Sequence, residues 1–177
     1  AVTHYASRPD DSKSLGSNQL NARAMDESGV LWIATKAGLS SLDTRNGEIT
    51  RNVPVANDLA RGGARSLLIG RNGTLWAGTH KAGLFEFDPQ TGKTTVYRPY
   101  PEVPGSLASN RVDSIFEDDS GRLWVGTDKG LNLLNADTGR FALYKNDPTN
   151  AASISDDRVF SIFQDRGGLL WVGTLTG

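Results

Sequence analysis

Hydrophobic residues along this chain occur in short runs that are bounded by glycine, aspartate and asparagine. Residues 111–117 form one such run, rich in valine, isoleucine and phenylalanine; a turn-forming segment follows at 118–121, and a second apolar run begins at 123. Short β-branched and aromatic runs between such turns predict β-strands. No segment combines the 3.6-residue hydrophobic period with the length of a helix. The pattern therefore predicts an all-β chain.

This pattern returns along the whole sequence. Each of the four tryptophans follows a leucine and stands in a phrase that ends in threonine, and the phrases occupy 31–35, 75–79, 123–127 and 170–174. Their spacing of about 45 residues is the length of a four-stranded propeller blade. Because the tryptophan holds one fixed position in every copy, we expect it to pack between neighbouring blades rather than to stack on a sugar.

Alignment of the copies on their tryptophans divides the chain into blades. Complete blades are predicted at 17–55, 61–99 and 109–146, the last strand of a preceding blade at 1–6, and the first half of a further blade at 156–177. The predicted fold is thus a β-propeller of four-stranded antiparallel blades, in which 1–177 is a single segment with three complete blades and a partial blade at each end. We expect the chain to be a fragment of a longer array.

Residues 110–141 carry the order Asn-Arg-Val-x-Ser-Ile, then Asp-x-x-Gly-x-Leu-Trp-Val-Gly-Thr, then Gly-Leu and Thr-Gly. This order resembles the two-component regulator propeller repeat, and the resemblance extends over essentially the whole chain. The second copy departs most from it, with Gly62 and Gly70 in place of acidic or amide residues and an additional residue at His80 or Lys81.

The resemblance implies a function for the longer protein. Members of this family carry arrays of such repeats as the extracytoplasmic sensor of receptors whose output is a histidine kinase or a diguanylate cyclase. It implies a periplasmic or otherwise extracytoplasmic location, a parent protein anchored in the inner membrane, and contacts with other blades of that parent.

Composition and charge exclude several other classes. The formal net charge of −1 gives no electrostatic footprint for nucleic acid or for an anionic membrane surface. There are no cysteines, and the two histidines, His4 and His80, lack the spacing of a metal pair. The carboxylate pairs are neighbours in loops, which does not make an acid–base pair. We therefore predict no catalytic residues, no metal site, no cofactor and no direct membrane contact.

Binding residues are expected on the face where the second turn of each blade meets the link between blades, because these loops vary between copies. A small molecule or an oligosaccharide is the predicted ligand. The segment from Arg98 to Pro101 offers a guanidinium and an aromatic ring to a sugar or a carboxylate. The candidate binding residues are His80, Arg98, Tyr100, Asn110, Arg111, Lys129 and Arg158.

Two other functions remain open at this point. Streptogramin-lyase-like propellers carry a similar repeat and use a histidine with a metal, so that an enzyme is one alternative, and a protein-interaction scaffold is another. Incomplete blades also leave strand edges unpaired. Two copies of the chain could therefore close a ring as a homodimer.

Overall fold

A computed structural model of the chain describes residues 3–51, 59 and 63–177. These residues form three four-stranded antiparallel sheets and one two-stranded sheet. The strands of the first two sheets in chain order are β1 Leu20–Met25, β2 Val30–Thr35, β3 Gly38–Asp43, β4 Ile49–Arg51, β5 Ala64–Ile69, β6 Leu75–Thr79, β7 Leu84–Phe87 and β8 Thr94–Tyr97. The remaining strands are β9 Val112–Glu117, β10 Leu123–Thr127, β11 Gly130–Asn135, β12 Arg140–Tyr144, β13 Val159–Gln164 and β14 Leu170–Thr174.

Each sheet is a meander in which the strands pair in chain order. The first strands of successive sheets, β1, β5, β9 and β13, lie against one another. They are therefore the inner strands, and the sheets fan outward from them as the blades of a β-propeller. The fold prediction is confirmed, with three complete blades and the first half of a fourth.

The strands of the three complete blades lie within 17–55, 61–99 and 109–146, although 52–55 and 61–62 fall outside the described residues. At the amino-terminal end, residues 3–6 form no strand. A last strand pairs with the third strand of its own blade, and the described residues include no such partner for residues 3–6. Their assignment to a preceding blade stays a prediction.

The tryptophans of the three complete blades are buried between blades, as expected. Trp32 meets Phe87 of the second blade edge to face, with ring centroids 6.1 Å apart. Trp76 and Trp124 each pack with a tyrosine of their own last strand and with the inner strand of the next blade. Trp171, in the two-stranded sheet, is 60% exposed, because no described blade packs against it. The packing role is therefore confirmed for the three tryptophans that have a following blade.

Glycine in the tryptophan strand sets how closely two blades approach. A Cβ added at Gly126 would lie 2.7 Å from Cγ1 of Val159, in the inner strand of the fourth blade, and would also overlap Ser114. Gly78 and Val112 repeat this arrangement one blade earlier. Such contacts are far inside van der Waals distance, so each glycine creates the space that the valine of the next blade fills.

In the first, third and fourth blades an aspartate ties the first turn to the tryptophan. The indole N–H donates to Asp26 at 3.1 Å in the first blade, to Asp118 at 2.9 Å in the third and to Asp165 at 2.8 Å in the fourth. In the second blade Gly70 replaces this aspartate. There Glu117 of the next blade accepts a hydrogen bond from the backbone N–H of Arg71 at 2.9 Å, so a neighbouring carboxylate serves the turn.

Candidate functional site

The second turns and the inter-blade links lie on one face of the propeller, as the sequence predicts. The backbone N–H of His80 donates to the carbonyl of Gly63 at 3.0 Å, and the N–H of Gly83 donates to the carbonyl of Asn110 at 3.0 Å. The bond from Gly130 to the carbonyl of Asp157, at 2.7 Å, repeats the second contact one blade later. We call this side of the molecule the loop face.

Four charged or titratable side chains meet where the inner strands of the second and third blades reach the loop face. Asp113 lies between two arginines: Nε of Arg65 is 2.7 Å from its Oδ1, and Nε of Arg111 donates to its Oδ2 at 2.8 Å. Nδ1 of His80 is 3.4 Å from a terminal nitrogen of Arg65. We call Arg65, His80, Arg111 and Asp113 the inner cluster.

The two halves of this ion triad differ in geometry. The bond from Arg111 is aligned, whereas Oδ1 of Asp113 accepts no aligned hydrogen bond and is held to Arg65 by charge at short distance. The carboxylate is deep, with 5% of its side chain exposed, while the side chains of Arg65 and Arg111 are 42% and 28% exposed. Two cations share one anion, so the triad has a surplus positive charge at its exposed side.

Equivalent positions explain why this cluster forms at only one seam. Eleven residues before the tryptophan, near the start of each inner strand, the four blades carry different side chains: Asn21, Arg65, Asp113 and Phe160. Only between the second and third blades does this position place opposite charges side by side. Sequence reasoning missed Arg65 and Asp113 because it searched the loops. The available signal was the change of residue type at a fixed position of the inner strand.

A second hollow lies at the outer edge between the second and third blades, with a volume of about 240 Å³. Arg98, Tyr100 and Arg140 line it. Tyr100 is 53% exposed, and its loop is closed by Ser106, whose hydroxyl accepts from the N–H of Tyr100 at 3.0 Å and donates to its carbonyl at 2.9 Å. The loop therefore holds an exposed aromatic ring beside two guanidinium groups. We call this hollow the outer groove.

Tyr97 forms part of the wall of the outer groove. Its hydroxyl donates to Oε2 of Glu86 at 2.8 Å. Burial, together with this hydrogen bond and the nearby carboxylate charge, raises the pKa of Tyr97 well above its usual value. The phenol stays a donor over the physiological range, and this wall of the groove is fixed.

The predicted binding residues thus divide into two groups and three separate positions. His80 and Arg111 belong to the inner cluster, and Arg98 and Tyr100 line the outer groove. Asn110, Lys129 and Arg158 lie on the loop face but belong to neither group; the carbonyl of Arg158 accepts from the N–H of Leu175 at 3.1 Å. The assignment of ligand binding to all seven residues stays a prediction.

A larger hollow of about 410 Å³ opens on the opposite face, beside the first and third turns of the second blade. Two of its polar side chains already serve the turns: Asp88 accepts from the hydroxyl and the N–H of Thr91, and Asn72 accepts from the N–H of Thr74. Within the described residues, no three His, Asp or Glu side chains lie close enough to hold a metal ion. No described helix has the length and hydropathy of a membrane span.

The architecture defines the chain as a segment of a β-propeller, and two of its repeats match a family model. Residues 106–129 and 153–176 match the model of the family described as "Two component regulator propeller". The predicted resemblance is therefore confirmed for these copies. Over 60 residues, 34% of this chain, the sequence is 35% identical to Histidine kinase P4 of Formosa agariphila, of which the matched part is 4%.

Solved structures share the fold over nearly the full chain. The extracellular domain of a protein from B. thetaiotaomicron, described as a hybrid two component system, matches 97% of this chain with a TM-score of 0.67 and 21% identity. PorZ, a surface component of the type-IX secretion system of Porphyromonas gingivalis, matches 98% with a TM-score of 0.69 and 21% identity. Streptogramin B lyase matches 90%, with a TM-score of 0.64 and 19% identity.

This chain spans only part of these relatives. It covers 28% of the B. thetaiotaomicron chain, 27% of PorZ and 49% of the lyase. At these sequence identities the structural likeness establishes the fold alone.

Proposed function

We propose that this chain is a non-catalytic, ligand-sensing part of the extracytoplasmic propeller of a bacterial receptor. The output would be membrane-linked, a histidine kinase or a diguanylate cyclase. The family of the repeats, the local identity to a histidine kinase and the fold shared with an extracellular domain of a two component system support this proposal. Ligand binding would shift the packing between propeller modules, and this shift would pass towards the membrane.

One observation carries the sensing part of the proposal. The packing residues recur from blade to blade, whereas the inner cluster occurs at a single described seam and brings together two partly exposed arginine side chains. Packing does not require this charge, because the neighbouring seams hold Asn21 and Phe160 at the equivalent positions. A rigid scaffold with a unique polar group on its loop side is the usual design of a binding site.

Isothermal titration calorimetry tests the proposal. The complete repeat array of the parent receptor would be titrated with neutral and acidic mono- and oligosaccharides and with small carboxylates. We expect saturable binding of one compound, and the same compound should change the output activity of the receptor in membranes. A folded array that binds none of them, or a ligand that leaves the output unchanged, would contradict the proposal.

The fold shared with Streptogramin B lyase keeps an enzymatic function as a second candidate. His80 would have to be its functional histidine. Nδ1 of His80 lies 3.4 Å from a terminal nitrogen of Arg65. Replacement of His80 by alanine would abolish any lyase activity on streptogramin substrates if the enzymatic candidate is right. A pull-down that returns a protein partner while no small molecule binds would favour the interaction scaffold instead.

A further inference from the structure

The inner cluster has more hydrogen-bond donors than its single carboxylate can use. A guanidinium group carries five N–H donors. Nε of Arg111 donates to Asp113, and the terminal nitrogens of Arg111 have no acceptor within the described part of the chain. Arg65 directs Nε to Asp113 and one terminal nitrogen towards His80. Donors of both arginines therefore have no acceptor among the described residues and are left for a ligand.

The position of the carboxylate makes these donors a prepared group. The side chain of Asp113 is 5% exposed, and its carboxylate contacts Nε of both arginines. The side chains of Arg65 and Arg111 remain 42% and 28% exposed. Fixing two rotamer-rich side chains before binding lowers the cost of ordering them when a ligand arrives.

We propose that Arg65 and Arg111 bind one oxyanion group of the sensed ligand, a carboxylate, sulfate or phosphate, and that Asp113 positions them. Forked guanidinium donors match the two oxygens of such a group, and the surplus positive charge of the triad favours an anion. A triad that served only to join two blades would need a single arginine against its carboxylate. This inference rests on the proposed sensing function and names the chemical class of its ligand.

Nuclear magnetic resonance of the ¹⁵N-labelled 177-residue chain provides the test. Sodium glucuronate, sulfate and phosphate would each be titrated at constant ionic strength, with glucose as the neutral counterpart of glucuronate. We expect saturable shifts at the amides of Arg65, Arg111 and Asp113 with at least one of the three anions and none with glucose. The anion that binds most tightly identifies the oxyanion chemistry.

Variants separate this site from general charge effects. Arg111→Gln should weaken binding about 10- to 100-fold, the usual effect of losing hydrogen bonds to a charged group. Arg111→Lys keeps the charge without the fork and should give an intermediate loss. The matched control is Arg166→Gln, because Arg166 lies in a first turn at the opposite face and makes no side-chain hydrogen bond or ion pair to a described residue. Arg166→Gln should bind the anion with the same affinity as the unsubstituted chain.

Three results would overturn the inference: no saturable shift with any of the anions, equal shifts with glucose, or the same loss of affinity in Arg166→Gln. Loss of fold in Arg111→Gln is detected by circular dichroism, and Arg111→Lys then decides. Binding of a neutral sugar without any oxyanion would remove this site and leave the proposed function standing. Oxyanion binding that leaves the receptor output unchanged would support this site and contradict the proposed sensing function.

Discussion

Replacement of Asp118 by asparagine tests whether the first turn anchors the tryptophan strand. Asp118 is 1% exposed. Its Oδ2 accepts from the indole N–H of Trp124 at 2.9 Å and from Nε of Arg122 at 2.6 Å. Its Oδ1 accepts from the backbone N–H groups of Ser120 and Arg122, both at 2.9 Å. An asparagine side chain has one acceptor oxygen, so in either orientation its NH₂ group faces two donors.

The expected cost follows from which donors lose their acceptor. The indole of Trp124 is 8% exposed, and a buried donor without an acceptor costs about 1–3 kcal/mol. Arg122 is 57% exposed, so its guanidinium turns to water at little cost. The remaining bonds lose their charge assistance, which roughly halves them. We expect Asp118→Asn to lower the free energy of unfolding by about 2–4 kcal/mol.

Urea denaturation followed by circular dichroism measures this loss, and the chain supplies its own control. Asp165 makes the same bonds to Trp171 and to the backbone of its turn, but it lies in the half blade, where Trp171 is exposed. Water replaces the lost acceptor there, so Asp165→Asn should cost much less. Equal losses in the two variants would refute the reasoning that burial of the turn makes the aspartate important.

The pH dependence follows from the pKa of Asp118. Burial alone would raise this pKa, but the hydrogen bonds from Trp124 and Arg122, with the charge of Arg122, hold it below the usual value of 3.8. A lowered pKa in the folded state contributes stability that is present above pH 3.8 and is lost as the pH falls through the folded value. The difference in unfolding free energy between the parent and Asp118→Asn should therefore be constant near neutral pH and shrink below pH 3.8.

Further predictions concern blade packing, alkaline stability and assembly. Gly126→Ala should lower the unfolding free energy by about 1–3 kcal/mol in urea denaturation; the double variant with Val159→Ala should lose less than the sum of the single variants, and strict additivity would contradict close nesting. Because its pKa is raised in the folded state, Tyr97 should make stability fall as the pH rises above 10, and Tyr97→Phe should flatten that fall; identical profiles would contradict it. Light scattering should give a dimer of 19.0 kDa chains that Trp171→Glu dissociates, whereas a monodisperse parent monomer would refute ring closure.

The sequence predicted the blades well because their determinants are local and repeated. The turn glycines illustrate this: Gly121 and Gly168 end the first turns with φ values of +75° and +84°, a region that glycine adopts without strain. The tryptophan position predicted burial between blades, since each complete copy meets the same surroundings. Trp171 is the exception: it is 60% exposed, because no described blade packs against this ring.

Contacts that join different copies could not be predicted in the same way. Glu117 reaches back to the first turn of the second blade, and Gln164 does the same for the third, where its side-chain oxygen accepts from the N–H of Asp119 at 2.8 Å. These residues lie more than 40 positions from their partners. Their role follows only from the angle at which two blades pack, which no single copy of the repeat encodes.

The inner cluster shows how such contacts give one seam of a repeat a charge pattern that the other seams lack. A residue that is the same in every copy of a repeat usually serves packing between blades. A position whose residue type differs between blades, while the fold is kept, is not needed for packing and can serve binding instead. The position of Arg65 and Asp113 is of this kind. Its neighbours around the inner ring are Asn21 on one side and Phe160, 40% exposed, on the other. A ligand whose oxyanion contacts the arginines would therefore meet an amide in one direction and an aromatic ring in the other.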